Sequence, residues 1–309
     1  LIDIRRRPPP ASWGVAIDLH RLDAVAQVWK FVDFQQPSFD YPGLPEFEGT
    51  DWIDFCALAV SVLACLWPPE GEIMWNVEFN GAVLEDAPAL FACFTKANWE
   101  LDRFAAVTDE QAKAFFAGKG NLQLIAQRAE RLRGVARAIR DRWDGSVCNL
   151  MEEAGWDGAS AVDLLIKTVP GYLDRVEIEE GVLPFDKLAH LCVALMAARA
   201  PHDVGRLDTF PVYPDYMLPK LLRHLGVLVY EPHLAAAVEA RRLIDAESDW
   251  ELAIRWATVH TGQMLIDRLR QLGNPVTGPQ LDYHLWSTAV LGGDATGQGD
   301  HHRTVTLAY

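Results

Sequence analysis

Basic residues are scarce in this chain. Its 309 residues carry 28 Lys and Arg against 43 Asp and Glu, a formal net charge of −15. That sign excludes a protein whose main task is gripping nucleic-acid phosphates, and it disfavours an anionic membrane surface. The five cysteines include no CxxC pair and are odd in number. They read as buried free thiols in a reducing, cytoplasmic setting, not as a disulfide framework. Long apolar runs are missing as well. The longest, Phe55 to Trp67, falls short of the roughly 20 residues a membrane span needs and reads as a buried core helix. The first ten residues, basic and proline-rich, do not read as a secretory leader. The glycine-rich phosphate loops, HExxH and GxSxG are all lacking. The nine histidines are scattered, with only His301 and His302 adjacent, so no metal site is legible.

What is present is a globular composition, half of it hydrophobic. A chain of this size buries roughly three quarters of its unfolded surface. Helical signals dominate. Thr108 and Gln111 form a capping-box pattern, and Ser248 with Glu251 forms another ahead of a long helix ending at Gly273-Asn274-Pro275. Asn121 to Trp143 is amphipathic at helical spacing. Ala159 to Thr168, Phe185 to Ala198 and a stretch opening at Thr277-Gly278-Pro279 read as further helices. Ile73 to Leu84, turning at Asn80-Gly81, reads as a hairpin on a type I′ turn. The last nine residues alternate and read as extended. The fold class is mainly α with a small β element. Residues 1–309 read as one domain, with 1–17 extended or poorly ordered.

Two segments carry a more specific signal. One runs Tyr213-Pro214-Asp215-Tyr216-Met217-Leu218-Pro219-Lys220, followed by Leu222-Arg223-His224-Leu225-Gly226-Val227-Leu228. The other is His301-His302-Arg303-Thr304-Val305-Thr306. Phe185 to His190, Pro170 to Asp174, Glu251 to Arg255 and the Asp282 to Trp286 stretch fall in order with them. Together these resemble the queuosine salvage family, the queuosine 5′-phosphate N-glycosylases, from about Thr50 to the end.

The resemblance implies a helical fold akin to helical DNA glycosylases. It implies a hydrolase that frees the 7-deazapurine base queuine, a tRNA-modification base, from its nucleoside 5′-monophosphate. No metal or organic cofactor is implied, and the partner is a small nucleotide or nucleoside. The catalytic aspartate falls on Asp215. A carboxylate beside the anomeric carbon stabilises the positive charge that develops as the C–N bond breaks. Asp215 also stands where a helix N-cap belongs, and the two roles can coexist.

Substrate contacts fall on Tyr213, Asp282, Trp286, Lys187, His302 and Arg303. Tyr213 is placed to stack on the base, or is a core aromatic. Asp282 and Trp286, four apart, share a helix face and fit the base edge, or are a surface aspartate beside a packed ring. Lys187 sits in an apolar helix and suits an anion such as the sugar phosphate, or reaches outward to water. Arg303, with His302, suits a bidentate anion contact or a salt bridge that fixes the terminus. Arg128, Asp174 and Arg255 read as structural ion pairs.

One stretch departs from the family pattern. Where it carries Asp-x-x-Asn-Phe-x-Phe-Trp, this chain has Val60-Ser61-Val62-Leu63-Ala64-Cys65-Leu66-Trp67. Met217 and Leu188 replace family arginines. Two readings follow: an N-glycosidase with a changed base, for which queuosine 5′-phosphate is a poor substrate, or a nucleotide binder that does not hydrolyse. A helical interaction protein would leave Lys187, Asp282 and Arg303 unexplained.

Overall fold

The computed structural model describes residues 1–37, 43–97, 101–291 and 299–309. Among these, the helices in chain order are α1 Leu19–Trp29, α2 Gly49–Ser61, α3 Asp86–Lys96, α4 Leu101–Ala105, α5 Asp109–Phe115, α6 Ile125–Trp143, α7 Val147–Glu153, α8 Gly158–Thr168, α9 Lys187–Ala198, α10 Met217–His224, α11 Pro232–Glu239, α12 Asp249–Gln271 and α13 Gly278–Leu291. The strands are β1 Val15–Ile17, β2 Asn76–Phe79, β3 Ala82–Glu85, β4 Arg175–Ile178, β5 Gly181–Pro184 and β6 Leu228–Tyr230. They form three separate antiparallel pairs, β1 with β6, β2 with β3 and β4 with β5. The protein is therefore mainly α. Among the described residues no helix is long and apolar enough to cross a membrane.

The chain divides into two compact units, each assembled from three stretches. The first comprises residues 1–37, 175–187 and 207–305, and the second 38–174, 188–206 and 306–309.

The first unit is built around α12, whose residues Ala253, Ile254, Ala257, Leu265 and Leu269 pack with Leu22, Leu218, Leu222, Leu281 and Leu285 from α1, α10 and α13. A smaller cluster joins Trp256 and Val259 of α12 to Phe185, Leu183, Ile2 and Ile4. Within the first seventeen residues, expected to be extended or poorly ordered, particular side chains are anchored to this unit. Ile2 and Ile4 are buried, Ile2 donates its N–H to Val182 O at 2.8 Å, and Val15–Ile17 pairs with β6. Apolar side chains at positions 2 and 4 outweigh the local effect of the prolines. The final residues of this unit are not a strand. Arg303 makes one parallel bridge, to Leu243.

The second unit has an aromatic core in which Phe94 meets Phe55, Phe104 and Phe115 with ring centroids 4.9–6.2 Å apart. The Asn80-Gly81 hairpin is formed, with both turn residues at positive φ (49° and 80°) as a type I′ turn demands. The Thr108–Gln111 capping box closes with both bonds. The apolar run Phe55 to Trp67 behaves differently from a single core helix. Helix α2 ends at Ser61, and residues 62–67 continue as buried non-helical chain. Three of its carbonyls are satisfied by Arg128, which is fully buried and donates to Val62 O, to Ala64 O at 2.7 Å and to Cys65 O at 3.2 Å. In these bonds Arg128 is a backbone clamp, a role that the sequence did not suggest. The forked guanidinium suits this work, since it presents five N–H donors in one plane.

Candidate active site

All seven residues singled out from the sequence belong to the first unit. Four of them gather around the turn that opens α10.

The segment Phe210 to Pro214 approaches this turn pressed closely between two helices. Gly278 opens α13 against it, and a Cβ there would fall 1.9 Å from Phe210 O. Gly262 of α12 meets Val212 in the same manner, with a Cβ falling 2.5 Å from Cγ2. Real Cβ contacts are never that short, so both positions demand glycine. This closeness lets Asp282, in the second turn of α13, reach across. Its Oδ1 accepts the Tyr213 backbone N–H at 2.6 Å. The opening of α13 is itself secured by a reciprocal Thr277–Gln280 box: Thr277 N–H donates to Gln280 Oε1 at 3.0 Å, and Gln280 N–H to Thr277 Oγ1 at 3.4 Å.

Asp215 does cap α10. Its Oδ1 accepts the N–H groups of Met217 at 2.7 Å and Leu218 at 2.9 Å. Its Oδ2 takes no hydrogen bond from the described residues. The residue is half-buried, and burial raises its pKa above the ordinary aspartate value. The charge of Lys187 and the α10 amides oppose that rise. Lys187 is buried at the first turn of α9, just after Asp186, which is held by Arg175 at 3.0 Å. Asp282 is more deeply buried. Burial pushes its pKa well up, and the neighbouring Asp215 charge pushes it further. Two carboxylates in one field do not ionise together easily, so the pair loses its protons in sequence. Asp215, better solvated and better supplied with donors, ionises first.

Lys187 thus stands beside the carboxylates, a cationic counterweight to both. Tyr213 is buried, 3% exposed, and its hydroxyl has no hydrogen-bond partner among the described residues. Trp286 lies one turn beyond Asp282 on α13, half-buried against the first unit's core.

His302 and Arg303 form a second group. Tyr216, adjacent to Asp215, tilts its ring against His301 with centroids 4.8 Å apart, which ties the terminal segment to the Asp215 turn. Arg303 is buried, and its carbonyl accepts the Ile244 N–H at 2.8 Å. His302 is 2% exposed. Burial, with the charges of His301 and Arg255, pulls its pKa down to about 3, so it is a neutral imidazole at any ordinary pH. Arg255 carries its guanidinium 3.9 Å from the centre of the Phe185 ring and pairs with Glu251 at 3.4 Å. Sequence reasoning reaches the ion pair but misses that Arg255 bears on His302, as it misses the Tyr216–His301 contact. The signal for both was the aromatic and histidine flanking the two motif residues. Among the described residues no group of three or more His, Cys, Asp or Glu converges to hold a metal ion.

The arrangement offers a fixed, half-buried carboxylate with one uncommitted oxygen, a second carboxyl that tends to hold its proton, and an ammonium to offset their charge. Such a set can stabilise a developing cation at one carbon while supplying hydrogen bonds to a departing group.

Comparison with known proteins places the chain in a family. The family model described as queuosine salvage protein matches residues 45–309. A Sphaerobacter thermophilus protein named queuosine 5′-phosphate N-glycosylase/hydrolase is 29% identical over 255 residues, covering 79% of this chain and 77% of the relative. Proteins of the same name from Dictyostelium discoideum and Mus musculus are each 25% identical. The first match spans 304 residues, 95% of this chain and 89% of the relative. The second spans 199 residues, 60% and 59%.

Proposed function

The chain belongs to the queuosine salvage protein family, and from that premise we propose that it hydrolyses the N-glycosidic bond of a queuosine-type 7-deazapurine nucleoside 5′-monophosphate. The bond from the anomeric carbon to the base breaks, and its electron pair leaves with the base. Asp215 Oδ2 faces the cationic ribosyl carbon, water adds its hydroxyl there, and the remaining proton passes to the base. Lys187 keeps Asp215 ionised in a site where burial alone would protonate it. Trp286 and Asp282 hold the base. His302 and Arg303, joined to the Asp215 turn through His301 and Tyr216, hold the sugar-phosphate side. The partner is a small nucleotide, not a nucleic acid, and the setting is cytoplasmic.

The observation that carries this reading is the division of labour at Asp215, whose Oδ1 is spent on the Met217 and Leu218 amides while Oδ2 is not. The test compares Asp215→Asn with Asp215→Ala. Asparagine keeps an acceptor for the two amides, so thermal stability is retained. It offers no charge to the ribosyl cation, so base release falls about a hundred- to a thousandfold. Alanine also removes the cap and loses about 1 kcal/mol of stability. An asparagine variant that releases base at the parental rate would refute the assignment.

One observation favours a binder of altered specificity. The stretch Val60 to Trp67 departs from the family pattern, lacking its Asp, Asn and both Phe residues. Chromatography of bases released from a panel of purine nucleoside 5′-monophosphates decides it. Under this second reading queuosine 5′-phosphate ranks low or binds without cleavage.

A further inference from the structure

The Tyr213 hydroxyl is a buried polar group with no hydrogen-bonding task among the described residues. It is sealed from solvent and has no hydrogen-bond partner among the described residues. The side chain has little freedom to find one. The Tyr213 backbone is bound to Asp282, and its neighbour Val212 is wedged against Gly262. Burial and the Asp282 charge both push the phenol pKa well up, so the group keeps its proton and remains a donor. The same interaction places it within the field of the Asp282 carboxyl. A hydroxyl stripped of water and left without a partner destabilises the fold, and phenylalanine would fill the same space without that penalty.

Resting on the N-glycosidase reading above, we propose that the Tyr213 hydroxyl is a specificity-determining group that donates a hydrogen bond to the heterocyclic base of the substrate. The position singles out the base. Tyr213 stands two residues before Asp215, which serves the anomeric carbon, and the base is bonded to that carbon. A phosphate is unsuited to the place, because the ionised Asp215 beside it would repel it. A neutral ring presenting a lone pair escapes that objection and satisfies the orphaned donor.

The test is Tyr213→Phe, read by calorimetric titration with queuine and with ribose 5-phosphate, beside base release from queuosine 5′-phosphate. Queuine affinity and kcat/KM should each fall roughly three- to tenfold, the range a single neutral hydrogen bond supplies. Ribose 5-phosphate affinity should be unchanged, and the Tm unchanged or higher. A variant equal to wild type in queuine affinity and kcat/KM overturns the proposal. A loss confined to ribose 5-phosphate overturns it too, because the contact is then with the sugar. Wild-type protein that binds queuine in a Tyr213-dependent way but releases no base supports this inference and sinks the hydrolase reading instead.

Discussion

Asp54 of α2 offers a sharp test of how burial and capping trade against each other in the second unit. Its carboxylate accepts the Val147 N–H at 2.5 Å and the Ser146 hydroxyl at 3.3 Å, so it caps α7 from a distance in sequence. The side chain is only 8% exposed. Burial raises its pKa from 3.8 to about 6, against the pull of those two hydrogen bonds and with a push from Asp51. The folded pKa therefore lies above the unfolded one, so the folded state holds the proton more tightly. Stability from this group is fully present below pH 3.8 and is lost as pH rises through 6. A tenfold difference in proton affinity between the folded and unfolded states is worth about 1.4 kcal/mol, so the loss amounts to about 3 kcal/mol by pH 8. Asp54→Asn keeps an acceptor for Val147 and carries no charge. Urea unfolding of both proteins between pH 4 and 8 isolates the effect. The stability of the variant relative to wild type should climb by about 2.5 kcal/mol across that range and level off above about pH 7. Parallel curves would show that Asp54 ionises normally and that the burial argument is wrong.

Two further outcomes follow from named contacts. Arg128→Ala strands the carbonyls of Val62, Ala64 and Cys65, each worth about 1–3 kcal/mol when buried unpaired; denaturant titration should show a loss of at least about 3 kcal/mol, and a loss under about 1 kcal/mol would mean water replaces the clamp. Lys187→Met removes the charge that opposes the rise in the Asp215 pKa, so the acid limb of the pH–rate profile should move to higher pH, and an unmoved limb would separate Lys187 from Asp215.

How much of this was readable depended on how local each cause is. The Thr108 box and the Asn80-Gly81 turn came out as read, because a few adjacent residues determine them. The Ser248 box closed only in part. Ser248 Oγ accepts the Glu251 N–H at 3.4 Å, but Glu251 bonds the Glu247 N–H and faces Arg255, since a buried arginine competes for its carboxylate. The β4–β5 hairpin was missed because its turn, Glu179-Glu180, carries none of the residues that mark turns. The β1–β6 pair joins chain segments that no local pattern connects. The Arg128 clamp went unread, because helical spacing says nothing about carbonyls more than sixty positions away. The site shows the same division. Asp215 as a cap is a local inference, whereas the Asp282 bond to Tyr213 spans 69 positions and went unread, the resemblance having assigned both residues to the base.

The cap at Asp215 does not compete with a chemical role there; it narrows the choice. Capping two amides needs one acceptor oxygen, and serine, threonine or asparagine supplies it without ionisation. An aspartate used only as a cap would do best in the open, where its charge is solvated. Here the carboxylate is half-buried, its pKa is raised, and a second buried carboxyl lies within its field. Each of those features destabilises the fold. Burying Lys187 offsets part of it, but an ammonium is itself unfavourable in an apolar helix. A neutral cap with an apolar residue at position 187 would be the more stable solution. Retention of three ionisable groups in so small a space fits the proposed site for developing positive charge, in which the cap would hold one oxygen still while the other faces the cation.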